Sequence, residues 1–274
     1  MKRSTDMLEL DQYCLVLSDF FEQVRLYNIS DWLNLASGII DVNFDTTRFE
    51  ESLDMCGTAY DNATEESGFN KRVVAELTKF SFVWGALESL IDVVHDGWGK
   101  NSNKESFRFI YNDISYSGKI NYICFYLRNE FEGLGPIIYY NQILDSFFYL
   151  LSVNHSYKKL LDEAELKDFC GKSGIGISLV YKIRNRFAHG SLSISRYDDI
   201  YDETTSDDEI IKVSIRLVLL TIQMISIAYF KDKGVKYRYW DGVSGIVKEK
   251  YAWEHLRSIH IKNRPLDFEQ MSLL

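Results

Sequence analysis

Apolar residues recur every three or four positions along several stretches of the chain, and this spacing predicts amphipathic helices. The clearest stretch is 69–95, where a continuous seam predicts a long helix that needs a packing partner along its length. The members of this seam are Val73, Leu77, Phe80, Trp84, Leu87, Ile91 and Val94. The same pattern predicts helices over 7–27, 173–189 and 207–231. We expect 69–95, 173–189 and 207–231 to pack against one another.

Shorter segments complete the predicted set of elements. Ser30 is expected to cap a short second helix. Residues 120–131 and 137–154 are predicted as further helices, the second of them rich in Tyr and Phe. Residues 235–240 and 246–253 interleave Lys or Arg with Tyr on either side of a turn signal. A small hairpin and a short helix both fit this last pattern.

Together these elements predict an all-α fold. The 274 residues are enough for one large domain or two small ones with a sizeable core. We divide the chain into a helical N-terminal extension over 1–68, a helical domain over 69–231 and a small basic and aromatic C-terminal appendage over 232–274.

The net charge of −9 excludes a global field that attracts nucleic acid, so any such surface has to be a local patch. Residues 231–264 contain nine Lys and Arg against four acidic residues. Basic residues between aromatic ones suit single-stranded RNA, because rings stack on bases while the charges follow the phosphates. Ordinary packing of the appendage onto the domain is the alternative, since Lys stems and Tyr rings also cover apolar surface.

The remaining composition favours a cytoplasmic protein. The four cysteines form no C-x-x-C pair, which is typical of reduced thiols. The stretch 207–231 nears membrane-spanning length, but Arg216 and Gln223 interrupt it, so we expect a buried helix and no membrane association. The charged N-terminal residues predict no signal peptide. The histidines other than His189 form no ligand pattern, and neither a metal nor another cofactor is expected.

Side chains with chemical use gather at the end of one predicted helix, in the run Tyr181-Lys182-Ile183-Arg184-Asn185-Arg186-Phe187-Ala188-His189-Gly190. Arg184 offers a planar fork that matches phosphate oxygens and stays charged at cellular pH. An imidazole such as that of His189 can give or take a proton near neutral pH. Asn185 can orient the imidazole or bond the ligand directly. The three side chains predict a phosphate site with a proton-transfer group.

The geometry of the helix end decides whether these groups meet. Gly190 stands where a left-handed cap is expected, which would make His189 the last residue of the helix. Arg184 and His189 are five residues apart and therefore lie about 140° apart around an ideal helix. They converge on one ligand if the helix unwinds at Ala188 and His189, which Gly190 favours, or if a pocket wraps around the terminus. Arg and His also suit a helix end without any chemistry, and that structural role stays an alternative.

The run Arg184-Asn185-Arg186-Phe187-Ala188-His189 resembles the signature of the HEPN superfamily (higher eukaryotes and prokaryotes nucleotide-binding domains). In that signature an Arg, often followed by a polar residue such as Asn, precedes a His by a few residues near the end of a late helix. The run Trp84-Gly85-Ala86-Leu87-Glu88-Ser89-Leu90 is similar to the ApeA-type branch. The resemblance covers about 69–231 and implies a HEPN-like helical bundle. HEPN proteins are largely metal-independent ribonucleases of toxin–antitoxin, abortive-infection and other antiviral systems.

The resemblance implies an endoribonuclease that acts as a toxin or antiviral effector. In that scheme the RNA 2′-hydroxyl attacks the adjacent phosphate, His189 moves the proton, Arg184 stabilises the charge on the phosphate and Asn185 holds the geometry. Lys182 and Arg186 would add RNA contacts.

The resemblance also implies an acidic residue on the early helix that faces the motif, and Glu88 is the candidate. Glu88 follows a seam residue, so it lies either at the rim of the packed face or in a polar pocket, and an exposed Glu on a helix is also commonplace. Some toxin branches carry a Tyr two residues after the His. Here that residue is Ser191, so control by modification of such a Tyr is not expected.

The expected partners are RNA, a second copy of the chain or a larger defence complex, and an antitoxin or regulatory protein. The alternative function is a non-catalytic HEPN-like module that binds a nucleotide or a protein partner within such a complex. Convergence of Arg184, Asn185 and His189 on an open cleft would favour the enzyme, and separate surroundings would favour the module.

Overall fold

This computed structural model describes the chain over residues 6–45, 57–101, 119–132, 135–164, 170–190, 207–241 and 246–262. Within those ranges the backbone forms nine α-helices and one two-stranded sheet. In chain order these are α1 Leu10–Gln23, α2 Tyr27–Ser37, α3 Gly57–Asn101, α4 Lys119–Phe131, α5 Tyr140–Val153, α6 His155–Ala164, α7 Gly171–Ala188, α8 Asp207–Lys231, β1 Lys236–Asp241, β2 Ile246–Tyr251 and α9 Ala252–Leu256. The predominantly helical structure confirms the predicted all-α class.

The central element is α8, which packs against α1, α3, α4, α5, α7 and α9. Residues 217–227 of α8 are all buried, so three consecutive turns have no side that faces solvent. A helix that is apolar all round has to be enclosed by other elements, which explains why so many helices meet α8. On length and composition α8 could also cross a membrane, but 83% of its most apolar window is buried inside the protein. The prediction of a buried helix is confirmed.

The helix α3 is longer and more deeply packed than its seam predicted. It begins at Gly57 rather than at residue 69. The predicted seam is buried except for the half-buried Leu77. A second set is buried as well, namely Val83, Ala86 and Leu90. Both α8 and α2 pack against α3.

The approach of α2 to α3 is closest at Gly85. The indole of Trp32 lies 3.0 Å from the position that a Cβ on Gly85 would take. The same indole packs against the ring of Phe82, with 5.8 Å between the ring centres. Helices α1 and α2 therefore share one hydrophobic core with α3 and α8. Residue 68, the predicted end of the N-terminal extension, lies inside α3, and the division into three parts stays a prediction.

The predicted cap at Ser30 is wrong. Helix α2 begins at Tyr27, so Ser30 lies in its first turns. The hydroxyl of Ser30 donates a hydrogen bond to the carbonyl of Ser18 in α1 at 2.9 Å. The hydroxyl that was predicted to cap α2 thus forms a tertiary contact between α1 and α2 instead.

Gln223 is a buried amide in the apolar part of α8, and its donors and acceptor all have partners. Its Oε1 accepts a hydrogen bond from the hydroxyl of Tyr13 in α1, whose pKa is raised by burial. Its Nε2 donates to the carbonyl of Leu256 and, at 2.9 Å, to Nδ1 of His260. Nε2 of His260 donates in turn to the carbonyl of Ile138 at 3.0 Å. These bonds fit a neutral His260 with its proton on Nε2, and they connect α8 to three remote segments.

The segment after α8 forms a hairpin followed by the short α9. Strands β1 and β2 pair antiparallel over their full length, so of the two structures that fitted the sequence pattern this segment forms the hairpin. Tyr237 faces the core, where its ring stacks on His255 with 3.9 Å between the ring centres. Arg238 and Val247 lie exposed on the outer face. Packing therefore accounts for the inner face, and RNA binding by the outer face stays a prediction.

Helices α4 and α7 approach each other closely at Gly174. A Cβ on Gly174 would lie 2.7 Å from the Cα of Cys124 and 2.8 Å from its carbonyl oxygen. The thiol of Cys124 donates to the carbonyl of Gly174 at 3.2 Å. The backbones of α4 and α7 are in contact here, and a backbone cannot move aside for an added Cβ as a flexible side chain can. The glycine is therefore a packing requirement that fixes α7 on α4.

We predict that Gly174→Ala lowers the free energy of unfolding by about 1–3 kcal/mol, because the added methyl overpacks a backbone contact. The matched control is Gly68→Ala in α3, where nothing lies within 4 Å of the added Cβ. That variant should be stabilised by about 0.5–1 kcal/mol through helix propensity. Urea denaturation of both variants measures the difference, and a shared sign would contradict the close approach.

Candidate active site

The helix α7 stays regular up to the motif histidine. The N–H of His189 still bonds the carbonyl of Asn185 at 3.0 Å, as in a continuing helix. His189 is the C-terminal cap residue, with φ −97° and ψ 6°, and Gly190 follows with φ 62°. The predicted glycine cap is therefore confirmed. Of the two options for convergence, unwinding at Ala188 and His189, which Gly190 favoured, is not found, because the helical hydrogen bond to Asn185 persists through His189.

Glu88 of α3 faces Arg184 of α7. Nη2 of Arg184 lies 3.9 Å from Oε1 of Glu88, and the same oxygen accepts a 2.7 Å hydrogen bond from the indole N–H of Trp84. The guanidinium carbon of Arg184 is 5.9 Å from the ring centre of Trp84, within cation–π range. Nη1 of Arg184 donates to Oδ1 of Asn185 at 3.3 Å. The structure thus brings together three of the predicted site residues, Glu88, Arg184 and Asn185.

The contacts that hold the guanidinium of Arg184 in place occupy only part of its hydrogen-bonding capacity. Its side chain is 37% exposed, and the carboxylate of Glu88 is 51% exposed. A guanidinium carries five N–H donors. Within the described residues, the bond to Asn185 is its one hydrogen bond, since 3.9 Å to Glu88 is a charge contact only. Within the part of the chain that the structure describes, its other N–H groups donate no hydrogen bond, and the partly exposed side chain can be reached by an anionic ligand.

His189 lies on another part of the surface of α7. Its ring is exposed, and over the described ranges no hydrogen bond or ion pair joins it to Arg184. In an ideal helix, His189 lies about 140° from Arg184 around the helix axis. Lys182 and Arg186 lie on the same side as His189, at about 160° and 200° from Arg184. Asn185 lies between the two groups, at about 100°. The polar residues of α7 thus form an arc around the helix, from Arg184 through Asn185 to His189, Lys182 and Arg186. Arg184 lies at the edge of this arc next to α3, and the last three lie at the far edge.

A cleft of about 230 Å³ lies beside Arg184, between α3, α7 and the start of α4. It is lined by Trp84, Glu88, Ile91, Lys119, Ile120, Asn121 and Tyr181. The ring of Tyr181 stacks on that of Trp84, with 6.0 Å between centres and 17° between planes. Lys119 forms an ion pair with Asp92, so it does not leave a free charge in the cleft.

Sequence reasoning did not assign a site role to Trp84, Tyr181, Lys119 or Asn121. Trp84 was predicted as a core residue, which its 3% exposure confirms, but its indole N–H also orients Glu88. The available signals were the spacings of four between Trp84 and Glu88 and of three between Tyr181 and Arg184, which place each pair on one helix face. Nothing in the sequence indicated that the start of α4 would close the cleft.

A larger and more strongly charged cleft of about 730 Å³ lies elsewhere, between α1, α3 and α8. It contains Glu76, whose pKa is raised by burial, with Lys79 and Lys212 acting in the opposite direction. Glu76 precedes Glu88 by twelve residues, or about 18 Å along α3. The cleft mixes acidic and basic side chains and holds none of the motif residues. It is therefore separate from the candidate active site.

Over the described ranges, no three His, Cys, Asp or Glu side chains cluster in a way that could hold a metal ion. Cys14, Cys124 and Cys170 are buried, and none of the three is in a disulfide. Comparisons with protein-family models, curated proteins and solved structures found no match to this chain.

We predict that Glu88→Ala changes the free energy of unfolding by less than about 1 kcal/mol, because both partners of the Glu88–Arg184 pair are well exposed. The matched control is Glu132→Ala, which removes the similarly exposed partner of Arg128 at 3.8 Å. Urea denaturation should give comparable small changes for the two variants. A loss above about 2 kcal/mol for Glu88→Ala alone would make Glu88 a structural residue instead of a site residue.

Proposed function

We propose that this protein is a metal-independent endoribonuclease of HEPN type, acting as a toxin or an antiviral abortive-infection effector in the cytoplasm. The observation that carries the proposal is the arrangement of Arg184. Its guanidinium is positioned by Glu88, Trp84 and Asn185, and its side chain stays partly exposed. An exposed, oriented guanidinium next to an amide and on the same helix end as an exposed imidazole suits a reaction at a phosphate.

In the proposed reaction the RNA supplies its own nucleophile. The 2′-oxygen forms a bond to the adjacent phosphorus as its proton leaves, and the bond from phosphorus to the 5′-oxygen breaks. A proton is returned to that 5′-oxygen, so the products are a 2′,3′-cyclic phosphate and a 5′-hydroxyl. His189 serves as the group that moves a proton, and Arg184 stabilises the negative charge on the phosphate oxygens. Asn185, between them on the arc, orients the phosphate.

Glu88 has a positioning role in this scheme. Its carboxylate is fixed by the indole N–H of Trp84 and attracts the guanidinium of Arg184 from the side of α3. A long Arg side chain loses rotamer freedom when it binds, and a pre-oriented guanidinium loses less. Lys182 and Arg186 extend the positive surface along the far edge of the arc, where the RNA backbone on either side of the scissile phosphate would lie.

The separation of about 140° between Arg184 and His189 bears on the assembly. One phosphate contacts both groups if the RNA bends around the end of α7 or if a second copy supplies one of the two. The proposal therefore includes a homodimer, or a defence complex with an antitoxin or regulatory partner, in which two motifs face each other.

A second function is favoured by that same separation. If His189 never reaches the phosphate held by Arg184, the chain is a non-catalytic HEPN-like module that binds a nucleotide or a protein partner. In that case the anchored guanidinium contributes affinity only, and the exposed His189 is a helix cap that interacts favourably with the helix dipole. The two functions differ in whether RNA is cut, which the variants below decide.

We predict that His189→Ala reduces RNA cleavage by roughly 10²–10⁴-fold, the usual contribution of a positioned proton-transfer group. The melting temperature should be unchanged, because His189 is exposed at the end of its helix. Single-turnover cleavage and circular dichroism measure the two effects. Lys172→Ala, an exposed change in the first turn of the same helix, is the control and should cleave normally. Full activity of His189→Ala would leave His189 as a cap.

We predict that Arg184→Lys fails to restore activity although the charge is kept, since an ammonium cannot hold two phosphate oxygens in a fork. The expected loss is roughly 10²–10³ in single-turnover rate. Arg128→Lys is the matched control, because Arg128 is 38% exposed and also contacts a Glu. If Lys at position 184 cleaves like the native chain, Arg184 acts by charge alone. If Arg184→Ala also cleaves normally, the motif is not the active site.

A further inference from the structure

We propose that the cleft beside Arg184 is a subsite for one nucleobase of the RNA, next to the phosphate that Arg184 binds. The proposal rests on the proposed ribonuclease function and adds the part of the substrate that the motif itself does not contact. Four residues that the motif leaves unexplained line this cleft, namely Trp84, Lys119, Asn121 and Tyr181.

The size of the cleft fits a single base. At about 230 Å³ it is smaller than the pockets of about 300–1,000 Å³ that enclose drug-sized ligands. A whole nucleotide would extend beyond it, whereas a planar heterocycle can enter with its sugar and phosphate outside. Tyr181 precedes Arg184 by less than one turn, about 60° away around α7 and about 4.5 Å along it. A base at Tyr181 and a phosphate at Arg184 therefore belong to neighbouring parts of one nucleotide chain.

The walls provide a stacking surface with a fixed orientation. The ring of Tyr181 is held parallel to the buried ring of Trp84, and Tyr181 itself is 37% exposed. One face of Tyr181 is thus supported by Trp84, and the exposed part of the ring is available to a base. Bases stack on such aromatic platforms in proteins that bind single-stranded nucleic acid, and a pre-positioned ring loses little conformational entropy on binding.

The polar groups of the cleft suit a base edge better than a phosphate. The amide of Asn121 has both donor and acceptor character, which matches the mixed edge of a nucleobase. Lys119 is paired with Asp92, and the carboxylate of Glu88 lies in the wall, so the cleft has no excess positive charge. A phosphate entering it would meet Glu88 directly. Phosphate is therefore directed to the outer arc of α7 and the base to the cleft.

The test compares a short RNA with a matched RNA that lacks the base on one side of the scissile phosphate. Single-turnover cleavage is measured for both RNAs, and fluorescence anisotropy measures binding of their non-cleavable 2′-deoxy versions. The variants are Tyr181→Ala and Tyr181→Phe, with Tyr149→Ala as the control, since Tyr149 is an exposed tyrosine of α5 outside the cleft. Circular dichroism checks that each variant is folded.

We expect the native protein to bind the base-containing oligonucleotide roughly 5–150-fold more tightly than the abasic one, the contribution of one stacked base. Tyr181→Ala should lose this preference, Tyr181→Phe should keep it because the ring remains, and Tyr149→Ala should not change it. Equal binding and cleavage of both RNAs by the native protein would overturn the subsite while leaving the ribonuclease. A base preference that depends on Tyr181, without any cleavage, would support the subsite and overturn the ribonuclease. Absence of both would overturn both.

Discussion

Enclosure of α8 is the constraint on which the rest of the structure depends. Residues 217–227 are buried on every side, so other helices have to surround them. The hydroxyls of Thr221 and Ser226 donate hydrogen bonds to carbonyls one turn earlier in α8, so they need no partner from another element. Gln223 cannot do so, and its amide instead bonds Tyr13 and His260 from both ends of the chain. Leaving a buried amide without hydrogen-bond partners costs free energy. The bonds of Gln223 therefore determine which segments of the chain cover α8.

The position of the candidate site follows from that enclosure. Helix α3 is held between α8 and α2, and α7 is held by its close approach to α4 at Gly174 and by α8. Glu88 and Arg184 therefore face each other because their helices are fixed elsewhere. An exposed ion pair at 3.9 Å such as theirs contributes little to stability by itself. The scaffold rather than the pair supplies the stability, and the pair is oriented by the helices that carry it.

The sequence pattern predicted the features that depend on local chemistry. The seam of α3 and the left-handed cap at Gly190 each follow from spacing or turn residues close together in the chain, whereas the pattern after α8 fitted both the observed hairpin and a short helix. The features it missed depend on remote partners. Trp32 of α2 packs on Gly85 and Phe82 of α3, and Ser30 bonds α1 instead of capping α2. The cleft at Tyr181 exists because the start of α4 closes it. No periodicity within one helix can encode such a neighbour.

The carboxylate of Glu88 connects the two halves of the proposed substrate. In a chain of net charge −9, a cationic surface has to be local, and the proposed one is the arc of α7 that carries Lys182, Arg184 and Arg186. Glu88 contacts Arg184 at the edge of that arc and places negative charge in the wall of the neighbouring cleft. In the proposed complex, one side chain orients the group that binds phosphate and keeps phosphate out of the space beside it. A base then has a place that the backbone of the same RNA cannot occupy, which would set the register of the strand on α7.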